Sequence, residues 1–141
     1  MKTTKREREE LARRAAGTKS HAYAPYSQFH VGAALLTESG EIFEGCNVEN
    51  SSYSLTICAE RNAVFQAVMS GHTSFRSIAI SSDDHAFLSP CGACRQVLSE
   101  FSPSMEIILT DSRGRMKIVS LNKLHPMPAD LKMLARSSKR K

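Results

Sequence analysis

Two short runs in this 141-residue chain carry residue types that can hold a metal ion and move a proton: Cys58-Ala59-Glu60 and Pro90-Cys91-Gly92-Ala93-Cys94. Cys91 and Cys94 are three positions apart, so on a helix they share one face and can share one ion. Cys58 can add a third sulfur from a second helix. A helix N-terminus carries a partial positive charge, which lowers a thiol's pKa and favours the thiolate that zinc requires. Three thiolates leave the fourth tetrahedral position to water, the arrangement of a catalytic zinc site and not a structural one. Glu60 lies two residues past Cys58 and so does not face the same way on a helix. It is predicted to work beside the metal, taking a proton from water and returning it to the substrate.

The chain has 4 cysteines. Reducing surroundings argue against disulfides and leave metal binding or plain burial to explain them. Cys46 reads as a small buried apolar residue. Two alternatives stay open on the residues alone: a structural four-sulfur site that also uses Cys46, and a metal-free CxxC. Against the first, structural sites come as two close cysteine pairs, whereas Cys46 stands well apart from Cys58.

Composition bounds the class. Hydrophobic residues make up 41% and charged residues 23%, with 7 Gly and 5 Pro, which fits a globular domain. No apolar run approaches the roughly 20 residues of a membrane span. The N-terminal run lacks the apolar core of a secretory signal, which points to the cytoplasm. The net charge of +5 comes largely from the two ends, including Lys2, Lys5, Arg6 and Arg8. The ends, with residues 137–141, read as solvated and flexible, not as a nucleic-acid footprint around the site.

The elements that must position the two runs follow from patterning. Residues 5 to about 16 read as a charged surface helix whose regular part ends at Gly17, with a resumption before Tyr23 left open. Val31-Gly32-Ala33-Ala34-Leu35-Leu36 is a strand, and Ser39-Gly40 turns it into a second over 41–46. A polar loop covers 47 to about 55. Helices are predicted over 58–69, closed by Gly71, and over 91–101, entered through Pro90. Strands follow at 76–82 and 106–110, and an edge strand at 117–120. After Leu121 the pattern is weak, with Pro126 and Pro128 preceding a helix from Ala129. From residue 41 the order strand, helix, strand, helix, strand implies parallel pairing with right-handed crossovers and helices packed on a mixed sheet. Both helix starts then fall at the carboxyl edge of the strands, where ligands bind.

From Tyr23 to about Val97 the chain resembles the small cytidine deaminases. The resemblance is carried by Tyr23-Ala24-Pro25-Tyr26-Ser27-Gln28-Phe29, by the strand from Val31 to Leu36, and by Gly45-Cys46-Asn47-Val48-Glu49-Asn50. It extends to Cys58-Ala59-Glu60-Arg61 and Ser89-Pro90-Cys91-Gly92-Ala93-Cys94-Arg95-Gln96. It implies one catalytic domain over residues 1–141, a three-layer α/β/α fold with a central mixed sheet of about five strands. It implies hydrolytic deamination of cytidine and deoxycytidine, or of an analogue with a modified amine, to the uridine product and ammonia. One zinc per subunit would be held by Cys58, Cys91 and Cys94, with Glu60 as proton shuttle. Asn47 and Glu49 would bind the ribose hydroxyls, Phe29 would stack on the base, and backbone groups of Ala59 and Ser89 would contact it. Arg61 would donate to the zinc thiolates, offsetting their negative charge. Tyr53 would lie at an interface of a homotetramer, with neither membrane nor nucleic acid as partner.

One stretch departs from the family. Where its members carry a Phe that closes over the base from an adjacent subunit, this chain has Pro126, which implies a wider site. Three rival readings remain: a polynucleotide deaminase, an aminonucleoside-antibiotic deaminase, and a zinc-stabilised binding module. Cys58 in place of a histidine argues against the first, and the intact Asn47-x-Glu49-Asn50 element against the second.

Overall fold

In the computed structural model, which describes residues 1–133 and 136, β1 (Val31–Thr37) is buried at every residue. A strand so enclosed belongs inside a sheet. It pairs antiparallel with β2 (Ile42–Cys46) on one side and with β3 (Phe75–Ser82) on the other. β3 runs parallel to β4 (Glu106–Thr110), which pairs antiparallel with β5 (Met116–Ser120). The sheet order is β2-β1-β3-β4-β5.

Side chains alternate across this sheet and build two cores. On one face Ala33, Leu35, Ile78, Ile80, Ile107 and Leu109 meet α2 (Ala59–Met69) and α3 (Gly92–Phe101), which contribute Ala63, Val64, Ala67 and Leu98. On the other, Ala34, Leu36, Ala79 and Ile108 meet Leu11 and Ala15 of α1 (Lys5–Thr18). The result is the α/β/α sandwich with a five-stranded mixed sheet expected from the resemblance.

Three local expectations are corrected. The chain alternation from residue 41 suggested parallel pairing within a mixed sheet; β2, β3 and β4 do run the same way, but β1 stands between β2 and β3, so among the described strands only β3 and β4 are parallel neighbours. A hairpin strand took the place beside β3, and local alternation carries no information on strand order. Gly17 does not end α1, which runs to Thr18 and continues as a 3-10 turn over Lys19–His21. Burial of Leu11, Ala15 and Thr18 outweighs the roughly 1 kcal/mol that a mid-helix glycine costs. The weakly patterned stretch holds a one-turn helix, α4 (Leu121–Leu124), seated by the fully buried Leu121. The helix expected from Ala129 begins at 131, and the basic tail 137–141 lies outside the described residues.

One glycine sets the distance between sheet and helix. A Cβ on Gly45 of β2 would stand 2.4 Å from both the Ala59 carbonyl oxygen and the Ala63 amide nitrogen of α2. Helix backbone cannot give way as a flexible side chain can. Gly45→Ala is therefore expected to destabilise the fold by about 1–3 kcal/mol, read from the urea midpoint. An unchanged midpoint would show that α2 is not seated on β2 in this way. No described helix is long and apolar enough to cross a membrane.

Candidate active site

α2 and α3 lie side by side on one face of the sheet, and each begins with a cysteine as its N-cap: Cys58 for α2 and Cys91 for α3. Neither side chain caps its own helix. Both sulfurs are thus free for other work. Cys94 sits buried in the first turn of α3. The Cys58 and Cys91 sulfurs are 3.8 Å apart and those of Cys91 and Cys94 3.4 Å apart. All three lie within 4.8 Å of one another. Tetrahedral zinc with sulfur ligands at about 2.3 Å sets sulfurs about 3.8 Å apart, so the thiols present fit the ion. Among the described residues no fourth His, Cys, Asp or Glu joins this group. Cys46 does not approach it; it is half-buried on β2, and its carbonyl accepts a hydrogen bond from Asn62 Nδ2 at 2.8 Å.

The electrostatics suit a cation. Hydrogen bonding from Cys94, against burial and with help from Arg61 and Cys91, pulls the Cys58 thiol down to about 5. The Cys94 thiol is pushed up, first by its hydrogen bond to Cys58 and then by burial. Arg61, one turn into α2, donates from Nη2 to the Cys58 sulfur at 3.5 Å. Its buried Nε has no partner among the described residues. That guanidinium offsets part of the charge three thiolates would gather. Glu60 is 5% exposed. Burial, and then the nearby Cys58 charge, push its carboxyl up to about 7.

These groups open on a cavity of about 260 Å³. Phe29, Asn47, Glu49, Ala59 and Ser89, all singled out in the sequence, line it together with Cys58, Glu60 and Cys91. Ser27, Thr56 and Leu88 line it as well. Sequence reasoning missed their part: Ser27 lay within a quoted motif, while Thr56 and Leu88 gave no signal of their own. Asn47 has a second task. Its Oδ1 accepts from the Val31 amide at 2.9 Å and its Nδ2 donates to the Phe29 carbonyl at 2.8 Å, bracketing the segment that carries Phe29. One amide N–H remains free of these two bonds.

Glu49 is oriented just as firmly. Its Oε1 accepts from the Tyr26 and Ser27 amides at 3.0 and 3.1 Å, and its Oε2 accepts from the Ser27 hydroxyl. The Ser27 hydroxyl in particular holds this carboxyl below its ordinary range. Oε2 keeps a lone pair for a further donor. Ser89 is fixed by Arg95, whose Nη2 donates to Ser89 Oγ at 2.8 Å and Nε to the Pro90 carbonyl at 2.8 Å. The third nitrogen, Nη1, reaches the Leu124 carbonyl at 2.9 Å and ties α4 to the cavity wall. Tyr53 does not line the cavity; it is 76% exposed, edge-on to Tyr26.

Comparison with known proteins points the same way. The family described as "Cytidine and deoxycytidylate deaminase zinc-binding region" matches residues 5–110. A cytidine deaminase of Sporosarcina psychrophila is 49% identical over 119 residues, covering 84% of this chain and 88% of that protein. A probable cytidine deaminase of Dictyostelium discoideum is 49% identical over 113 residues, 79% of this chain and 76% of its own. The crystal structure of cytidine deaminase from Burkholderia pseudomallei superposes with a TM-score of 0.83 at 43% identity, covering 90% of this chain and all of that one.

Proposed function

Because the chain belongs to the zinc-binding cytidine and deoxycytidylate deaminase family, we propose that it hydrolyses free cytidine, and deoxycytidine, to the uridine product and ammonia. The observation that carries this reading is the meeting of three thiols and a buried glutamate in one cavity with Phe29, Asn47 and Glu49. Cys58, Cys91 and Cys94 hold the zinc. When bound, the ion supplies a Lewis acid that brings the pKa of a water molecule toward neutrality.

The chain's own residues do the rest. Phe29 stacks on the pyrimidine. The free N–H of Asn47 and the free lone pair of Glu49 Oε2 take the sugar hydroxyls, one as donor and one as acceptor. Backbone groups of Ala59 and Ser89 meet the base edge, and Arg61 steadies the thiolates. Glu60 accepts a proton of the attacking water as oxygen bonds to the ring carbon bearing the amine and the C=N electron pair moves onto the adjacent ring nitrogen, which receives that proton from Glu60. Glu60 then carries the remaining hydroxyl proton to the amine as the C–N bond breaks, so that the carbonyl forms and the nitrogen leaves as ammonia.

A free nucleoside suits the cavity better than a nucleotide. Among the described residues no Lys, Arg or His lines it, and Glu49 brings negative charge to the sugar end. A phosphate there meets like charge without a partner, so kcat/KM for cytidine is expected to exceed that for CMP by about 10²-fold or more. Ultraviolet assays on metal-replete protein test both statements. Failure to convert cytidine would overturn the activity, and equal use of CMP the nucleoside preference.

The whole chain acts as one catalytic domain and assembles as a homotetramer. Val48, Phe65 and Met69 leave apolar surface along a second, larger groove, and Tyr53 and Leu55 are exposed ahead of α2. A monomeric mass in sedimentation would remove that part of the reading. Pro126, where a phenylalanine lid is usual, leaves room for cytidines with a bulkier amine; turnover of every such analogue no better than that of cytidine counts against it. The cytoplasm suits thiol ligands, which must stay reduced, and the reaction serves nucleoside salvage.

A further inference from the structure

We infer that His30 and Asp83 form a clamp that aims Phe29 into the cavity, making both of them positioning residues for substrate binding. The clamp consists of two hydrogen bonds to one oxygen: the His30 amide donates to Asp83 Oδ2 at 2.8 Å, and the His30 ring Nδ1 at 2.7 Å. This rests on the assignment of the cavity to a cytidine whose base lies on Phe29.

The segment around Phe29 needs such a hold. Gln28, its neighbour, has φ of 55°, a left-handed conformation that a residue with a Cβ seldom adopts. Conformations of this kind persist only where the surroundings over-determine them. Asn47 grips the segment from one side through Phe29 and Val31. The residue between those two, His30, presents its amide the other way, to Asp83. The Phe29 amide also donates to Ser27 Oγ at 3.0 Å; without the Asp83 grip, residue 30 is the one position of the segment left without an anchor, and Phe29 gains freedom about it.

Asp83 is also well chosen as an anchor. It follows Ser82, the last residue of β3, and opens the loop that runs on to Leu88, Ser89 and Cys91. Ser82 is itself held by Lys19, whose Nζ donates to its carbonyl at 3.1 Å. The clamp therefore ties the wall carrying Ser27, Phe29 and Val31 to the wall carrying Leu88 and Ser89. The motif resemblance did not single out either partner.

A stacking ring binds ground state and transition state alike, so its misplacement raises KM and spares kcat. For His30→Ala, which loses the ring bond and keeps the main-chain one, KM for cytidine is expected to rise about 10-fold, the scale of one lost charged hydrogen bond, and for Asp83→Ala, which loses both, by at least as much, with kcat nearly unchanged in each. The double variant should be no worse than the worse single one, since the two residues act as a unit. His30→Asn, whose amide N–H can replace Nδ1, should restore most of the loss. Cytidine affinity measured by calorimetry in a Glu60→Gln background should follow the same order without turnover. Hydrogen exchange at residues 29–31 should quicken in Asp83→Ala.

Unchanged KM and affinity in both single variants overturn the clamp, as does a fall in kcat with KM unmoved, or additive effects in the double. If the wild-type chain does not convert cytidine, the proposed activity fails, and the clamp is then decided by hydrogen exchange alone: unaltered exchange in Asp83→Ala rejects it.

Discussion

Glu60→Gln is expected to slow cytidine turnover by about 10²–10⁴-fold, the usual worth of a general acid–base, while zinc content stays unchanged. Glutamine keeps the shape of the side chain and its hydrogen-bonding capacity, so the loss isolates proton transfer. The case rests on where the residue sits. Glu60 is almost fully buried, and burial raises its carboxyl to about 7. A group with that value binds and releases a proton with similar ease near neutral pH, as a two-way shuttle must. Its carboxylate is no member of the sulfur cluster, so the variant should hold its metal. Steady-state kinetics with metal analysis of the same sample check both halves. A fall below tenfold would remove Glu60 from the reaction, and loss of zinc would make it a ligand.

Removal of the metal is expected to abolish turnover, with recovery on adding zinc. Cys94→Ala should do the same irreversibly. Cys94 is fully buried, and its sulfur lies 3.4 Å from that of Cys91. Its removal leaves two ligands and no means of restoring the third. The pH behaviour of binding has a definite sign. Thiols must lose their protons to bind, so affinity falls as pH falls. Cys58 is pulled below the ordinary thiol range, chiefly by its hydrogen bond with Cys94 and with help from Arg61, so the cluster yields its first proton more readily than a lone thiol does. Cys94, pushed up in the free protein, loses its proton to the buffer only when its sulfur takes the ion, so binding at neutral pH should release acid. Calorimetry in buffers of different ionisation enthalpy measures that release. Turnover that survives exhaustive chelation and verified metal loss would refute the zinc assignment.

The spacing of Cys91 and Cys94 made two of the ligands legible from helix geometry alone, and Cys58 joined them because both helix starts fall at one edge of the sheet. The cavity lining was partly legible through the family resemblance carried by runs such as Asn47 to Asn50, not through spacing. Contributions that depend on distant segments left no local trace. Thr56 and Leu88 reach the cavity only because the sheet brings their loops together. Asn47 looked like a sugar ligand, and its bracket across Phe29 and Val31 could not be foreseen without knowing that β2 ends beside that segment. The place of β1 between β2 and β3 follows from burial on both faces, and chain order alone pointed elsewhere. α4 escaped notice because a single turn has no period to read.

The two N-cap cysteines stand 33 residues apart in the chain, with the whole of β3 between them. The full chelate exists only where β3 has joined the sheet and both helices have settled on it, so capture of the ion and closure of the sandwich draw on one free energy.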